Sequence, residues 1–350
     1  MVRLVCLFVL LAALVSCRSP KDVTPRVYNF EPVTDVLLDS IARYRGNLLV
    51  LVSQAENPVY EFELAMGKRE AIPLASATKW LSGAVIMALV DEGKLSLNDT
   101  VGKYLPNFTR YGKGHITLRQ LFSHTSGLPA NTPQGFESRR VFTLAQAVDS
   151  IGRTTKLLSK PGTAFFYGDL GMHVAGRMAE VASGKSWHTL FGEKIADPCE
   201  MRYTVYTSET NPGIAIGAAS VGPDYLNFLE MLVNNGVYEG KRVLSEAAIR
   251  EMEKDQTNGA TMTYTVYPRN PYTPTGIQAP LRYGIGIWRD VTDPNASVPT
   301  EVSSPGIFGV HPWINRRQKI AGIIFTMSSF GDTWLTSLKV RELIRKEVAQ

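Results

Sequence analysis

Residues 73–92 read PLASATKWLSGAVIMALVDE. From Ser76 to Glu92 the run is apolar nearly all round, with Trp80, Leu81, Ala84, Val85, Met87, Leu89 and Val90, so it predicts a helix buried on every side. Ser76 opens that helix and Lys79 follows three residues on. This spacing puts both side chains on one face, about 5 to 6 Å apart at Cβ, so that the amine reaches the hydroxyl. The pair is a nucleophile beside a base. The positive end of the helix and burial both disfavour a protonated lysine, which makes Lys79 the better proton acceptor. Taken alone, Ser-X-X-Lys is more often an N-cap serine followed by a solvated lysine, so the rest of the chain has to decide.

Working outward, Asn47–Ser53 (NLLVLVS) and Val59–Met66 (VYEFELAM) are β-rich runs around a polar, Pro-containing turn and predict an antiparallel hairpin. Near the other end, Tyr283–Trp288, Phe308–Ile314 and Ile320–Met327 read as strands. The last helix carries Val340, Leu343, Ile344 and Val348 on one stripe. Between these ends, Asp99 to Glu200 is helical and loop-rich, Asp224–Asn234 is one more helix, and the Pro- and Tyr-rich stretch Thr257–Pro280 reads as a long loop. Strands at both ends around a helical middle predict an α/β sandwich domain, residues 28–98 and 205–350, interrupted by an inserted α-helical domain, residues 99–204. Two packed units also suit a chain of 350 residues, because single cores stop growing at roughly 250 to 300.

Hydrophobic residues at 44%, charged residues at 20% and a mean hydropathy of -0.05 exclude disorder over most of the length. The net charge of +5 arises from 37 basic and 32 acidic residues spread along the chain, without the dense stripe that tracks phosphates, so no nucleic-acid partner is expected. The start of the chain is a targeting segment. Arg3 precedes an apolar run, Leu4–Ser16, that is too short to span roughly 30 Å of hydrocarbon. The run ends Leu14-Val15-Ser16-Cys17, which resembles a bacterial lipobox. Residues 1–16 are therefore expected to be a signal peptide, Cys17 the lipidated residue and residues 17–27 a tether, placing the protein in the bacterial cell envelope with the membrane as partner through its lipid. Cys6 lies in the leader and Cys199 remains alone, so no internal disulfide is expected.

Several segments match one family in the right order: PLASATK, DEGKLSLNDTVGKYLPNF (Asp91–Phe108), ITLRQLFSHTSGLP (Ile116–Pro129), FFYGDLGMHVAG (Phe165–Gly176), Tyr225–Met252 with NNGVYEGKRVLS, and YGIGIW (Tyr283–Trp288). With these, the sequence resembles the class C β-lactamase-like serine hydrolases, which include penicillin-binding-protein-like peptidases and esterases. The resemblance covers roughly Asn47 to Phe325 and implies a β-lactamase/transpeptidase-like α/β fold, an antiparallel sheet flanked by helices with an inserted all-α domain. It also implies an acyl-enzyme on Ser76. The family's Tyr-X-Asn is replaced by Tyr167-Gly168-Asp169, so Tyr167 would relay the serine proton. Asp169 would meet Lys79, raise its pKa and move the base role toward Tyr167, which leaves the base open between the two. The family's Lys-Thr-Gly or His-Thr-Gly has no clean counterpart, and Ser304-Pro305-Gly306 occupies its place.

Gly306 and Ile307 would offer the strand edge whose N–H completes the oxyanion hole with that of Ser76. The cation that would meet a substrate carboxylate is missing, and Arg316 and Arg317 fall in a solvated turn. Asp169, Ser304, Gly306 and Ile307 are thus the expected substrate-binding set, and His124 in SHTSGL is structural. His115, His173, His188 and His311 show no metal-ligand spacing, no Gly-X-Ser-X-Gly surrounds Ser76 and no phosphate cradle follows a strand, so neither metal nor cofactor is expected. The implied function is hydrolysis of ester or amide carbonyls, as a carboxylesterase, a D-amino-acid peptidase or a β-lactamase-like enzyme, on a small-molecule or peptidoglycan-derived substrate. The alternative is a non-catalytic penicillin-recognising or cell-wall-binding lipoprotein.

Overall fold

The structure, a computed structural model, describes residues 27–266, 281–291 and 300–349. The expected leader, Cys17 and all of the tether but its last residue lie outside the described residues. The centre is a six-stranded antiparallel sheet made of β1 (Leu48–Gln54), β2 (Asn57–Leu64), β3 (Trp288–Val291), β4 (Glu301–Ser303), β5 (His311–Asn315) and β6 (Ile320–Phe325), in the order β3-β4-β5-β6-β1-β2. The expected hairpin is β1–β2. Strand β1 pairs on its other side with β6, from Leu49↔Phe325 to Gln54↔Ile320, which ties the beginning of the chain to its end.

Side chains alternate across a strand, so a sheet covered on both faces needs apolar residues at every position of its central strands. In β1, Leu49 and Leu51 join one apolar cluster while Leu48, Val50 and Val52 join the other. The outer cluster is closed by α1 (Glu31–Asp39), through Val33 and Leu37, and by the C-terminal helix α5 (Phe330–Ala349), through Val340, Ile344 and Val348, with Leu343 at its margin. The inner face carries α2 (Thr78–Asp91) and α4 (Gly222–Val233). Helix α2 is buried at every position from Thr78 to Leu89, as its all-apolar pattern requires.

The segment from 99 to 204 contains several short helices, Leu144–Thr154 and α3 (Leu170–Ser183). Thr117 and Thr143 start two of them with reciprocal capping boxes to Gln120 and Gln146. Its apolar residues continue the inner cluster of the sheet without a break. One strand, Ala164–Phe166, also lies there and pairs in parallel with Thr261–Tyr264. This corrects the reading of Thr257–Pro280 as loop throughout: the partner strand is far along the chain, so no local pattern announces it. Residues 267–280 lie outside the described residues.

Tyr283–Trp288 is likewise not a strand. Only Trp288 enters β3, and the preceding residues turn across α2. Gly286 has φ +80°, and a Cβ on it would stand 2.3 Å from the Lys79 carbonyl oxygen, so close backbone approach overrides the β-rich composition. The strand expected at Phe308–Ile314 starts only at His311, leaving Phe308 free to line the site described next.

Candidate active site

Ser76 stands on a 3₁₀ turn, Ala75–Ala77, between the short strand Ile72–Pro73 and the first turn of α2. Ala75 just before it has φ 46°, a left-handed conformation that disfavours a residue with a Cβ by about 1–2 kcal/mol. The surroundings hold this turn in place. Tyr225 on α4 donates its hydroxyl to the Ala77 carbonyl at 2.7 Å, and Ser304 donates to the carbonyls of Ser76 at 3.3 Å and Gly286 at 3.2 Å.

Lys79 has no solvent exposure, and each of its three ammonium hydrogens has an acceptor: Ser76 Oγ at 3.1 Å, Asp169 Oδ1 at 3.0 Å and the Ala215 carbonyl at 3.3 Å. Burial works to lower its pKa, but the Asp169 carboxylate and the Tyr167 phenol outweigh it, and the amine is held above its ordinary value. Of the two opposing expectations for Lys79, the pull of burial and the helix end against the pull of Asp169, the second prevails, through a partner 90 residues away in sequence. Tyr167 and Asp169 lie on the turn between the strand Ala164–Phe166 and α3. Asp169 occupies the N-cap position of α3 without capping it, because its carboxylate is turned to Lys79. The Tyr167 ring lies under the ammonium, 4.9 Å from its centroid.

The third wall is the segment after β4. Ser304 is buried, 1% exposed, with its hydroxyl committed to the two carbonyls, and it does not line the cavity; its contact is with the nucleophile's backbone and not with a substrate. A Cβ on Gly306 would sit 2.3 Å from the Leu74 carbonyl oxygen, so only glycine lets this strand approach the residues ahead of Ser76. The Gly306 N–H is taken by the Val310 carbonyl at 2.8 Å, whereas among the described residues neither the Ile307 nor the Ser76 N–H has an acceptor. Those two N–H groups are the pair available to an oxyanion.

Ser76, Tyr167, Asp169, Gly306 and Ile307 line one cavity of about 610 Å³, together with Ile216, Tyr264, Val266, Phe308 and Phe330. Ile307 and Phe308 stand at its mouth, 64% and 39% exposed. No Lys, Arg or His lines it among the described residues. Arg316 is in the turn after β5 as expected, but it is ion-paired to the buried Glu253. Tyr225, Ile216 and Phe330 were not singled out from sequence: an aromatic or aliphatic residue at a wall has no local signature that separates it from core. Cys199 is buried, and burial pushes its thiol up to about 12. Among the described residues no group of three or more His, Cys, Asp or Glu is placed to hold a metal ion.

A serine, a lysine one turn on and a tyrosine beneath that lysine, gathered beside an antiparallel sheet, are the arrangement of the serine hydrolases of β-lactamase fold. Residues 44–335 match the Beta-lactamase family, and the chain belongs to it. It is 33% identical over 174 residues to the D-alanyl-D-alanine-carboxypeptidase/endopeptidase AmpH of Escherichia coli K12, a match covering 48% of this chain and 45% of that protein. The chain thus spans less than half the length of this curated relative. A solved structure of the "putative beta-lactamase" from Bacteroides dorei DSM 17855 superposes with a TM-score of 0.80 at 30% identity, over 92% of this chain and all of that one. The structure of EstCE1, a hydrolase with promiscuous acyltransferase activity, shares the fold at a TM-score of 0.71 and 20% identity, over 89% of this chain and 97% of its own.

Proposed function

We propose that this protein is an envelope serine hydrolase, anchored by lipid on Cys17, that cleaves uncharged carboxylic esters in preference to β-lactams. One observation carries the substrate preference: the described walls of the cleft are mostly apolar, and their polar groups, Asp169 among them, include no cation for a substrate carboxylate. A charge-assisted hydrogen bond of that kind is worth about 1.5–3 kcal/mol, or roughly 10- to 150-fold in kcat/KM.

In the chemistry, the reactive form pairs a Tyr167 phenolate with the Lys79 ammonium; the phenolate takes the Ser76 proton and becomes a phenol, while Lys79 remains an ammonium. With Asp169 as its partner the lysine has a proton to share and none to gain. Its charge favours the negative oxygen at each stage of the transfer. Ser76 Oγ attacks the ester carbonyl, and the N–H groups of Ser76 and Ile307 hold the oxyanion. Tyr167 then returns the proton to the departing alcohol and activates the water that frees the acyl group. The similarity to AmpH supports a second reading, in which the acyl donor is a peptidoglycan-derived peptide.

The test is a panel of p-nitrophenyl esters, a penicillin, a cephalosporin and a D-alanyl peptide, followed by absorbance, product analysis and intact mass. Higher kcat/KM on the esters is expected. Efficient cephalosporin turnover without ester activity would overturn the ester preference, and release of D-alanine alone would move the function to the second reading. Finding the wild-type protein, cleaved but without lipid, in the soluble periplasm would overturn the anchor.

A further inference from the structure

His124 lies beneath the turn that carries Tyr167 and Asp169 and has no part in the chemistry above. Its carbonyl accepts the Phe166 N–H at 2.9 Å, its ring centroid is 4.7 Å from that of Tyr167, and its Nδ1 accepts the Gly168 N–H at 3.4 Å. Three consecutive residues of the turn thus rest on one histidine. The same loop ends at Ala130, whose carbonyl accepts the N–H groups of Asp169 at 2.8 Å and Leu170 at 3.3 Å. Phe165 and Tyr283 wedge the imidazole from its other sides, with ring centroids at 5.4 and 4.8 Å.

Two features of His124 are unfavourable to folding. Its φ of 59° is left-handed, and its buried Nε2 has no hydrogen-bond partner among the described residues. A side chain that merely filled space would need neither, since an apolar residue leaves no orphaned nitrogen. What the arrangement secures is Nδ1 aimed at the Gly168 N–H, between the phenol and the carboxylate that both act on Lys79. A Cβ on Gly168 would stand 2.2 Å from the Ala130 Cα, so the turn is pressed onto this loop and has little room to settle elsewhere.

We infer that His124 is a positioning residue for the hydrolase: through the Gly168 N–H and the face of the Tyr167 ring it sets where the Tyr167 hydroxyl and the Asp169 carboxylate meet Lys79 and Ser76. The inference rests on the serine-hydrolase reading of Ser76. A displacement of about 1 Å at such a group lowers turnover by as much as about 10²-fold. Substrate binding depends mainly on Ile216, Val266, Ile307 and Phe308, which His124 does not touch, so the effect belongs in kcat and not in KM.

The experiment measures steady-state hydrolysis of a short p-nitrophenyl ester by the full chain. His124→Ala is expected to lower kcat by about 10- to 100-fold with KM within about twofold of the wild type. His124→Asn puts Oδ1 where Nδ1 was and tolerates left-handed backbone, so kcat should return to within about fivefold of the wild type. His124→Gln carries its amide further out, toward the Nε2 position, and should not recover. Equal losses in the Asn and Ala variants, or a loss carried by KM, would overturn the inference.

Should the variants fail to fold, ¹⁵N-histidine spectra of the wild type decide. The Nε2–H tautomer is expected, and an Nδ1–H tautomer would remove the acceptor for Gly168 and overturn the proposal. A wild type that neither hydrolyses esters nor labels at Ser76 would instead defeat the hydrolase reading, while the spectra still report on the His124–Gly168 bond.

Discussion

Two buried groups each pair a cation with carboxylates and sit in different settings. At the cleft, the Lys79 ammonium is fully buried, but Asp169 keeps 16% of its side chain exposed and Ser76 Oγ shares the same proton donor. Under α5, Arg341 bridges Asp290 on β3 at 2.9 Å and Glu301 on β4 at 2.7 Å, with exposures of 2, 0 and 2%. Arg345 adds a second cation to Glu301 at 2.6 Å, and Asn315 donates to the same carboxylate at 2.8 Å.

Burial pushes the Asp290 carboxyl up to about 7 against the pull of Arg341, whereas at Glu301 the two arginines outweigh burial and hold the carboxyl below its ordinary value. The sealed group is a clamp: it ties β3 and β4 to the C-terminal helix, and β4 leads directly into Ser304, Gly306 and Ile307. The open group has an O–H on one side and substrate space on the other, so its charge is available to a reaction. Access to the cavity separates the two: Asp169 lines it, and none of Asp290, Glu301, Arg341 and Arg345 does.

The comparison can be broken at several points. Ser76→Ala should reduce ester turnover by roughly 10⁴-fold or more and abolish the mass adduct of a fluorophosphonate, with an unchanged melting curve. An adduct that persists on Ser123 or Ser126 would move the nucleophile. Arg341→Met leaves two buried carboxylates with one fewer cation, so urea denaturation should show a loss of about 3–5 kcal/mol, while kcat of the folded fraction stays near the wild-type value. A midpoint equal to that of the wild type would end the clamp reading.

Asp169→Asn sharpens the contrast through pH. A lysine held above its unfolded value stabilises the fold fully below that value, about 10.4, and the contribution disappears as pH rises through the folded pKa. Removing the carboxylate lowers the folded pKa, so the alkaline fall in melting temperature should begin at lower pH in the variant than in the wild type. Coincident alkaline limbs would show that Asp169 does not hold the proton on Lys79.

The smallest effect is expected at Ser304→Ala, which frees two carbonyls and should cost about 0.5–1.5 kcal/mol in stability, read by urea denaturation. Turnover should fall several-fold because the Ser76 turn loosens. A gain in turnover would show that the hydroxyl restrains the nucleophile unproductively.

The sequence by itself announced the buried helix α2 and the β1–β2 hairpin: a helix without a polar face has to be buried, and LLVLV reads as a strand. It also set Ser76 and Lys79 one turn apart, whereas Tyr167 and Asp169 were pointed out by the family resemblance. Three matters were decided only by the tertiary structure. The balance at Lys79 is one: the resemblance pointed to Asp169 as its partner, but only the packing sets the full burial of the amine against a carboxylate 3.0 Å away, and Coulomb energy follows distance in space and not along the chain.

The turn at Tyr283–Ile287 depends on how near α2 the backbone passes, a steric limit no local composition encodes. The place of Ser304, buried against the Ser76 carbonyl and away from the substrate, depends on where β4 ends in the sheet. Each is a relation between segments far apart in the chain, and a pattern of neighbours in sequence holds no record of such a relation until the packing brings them together.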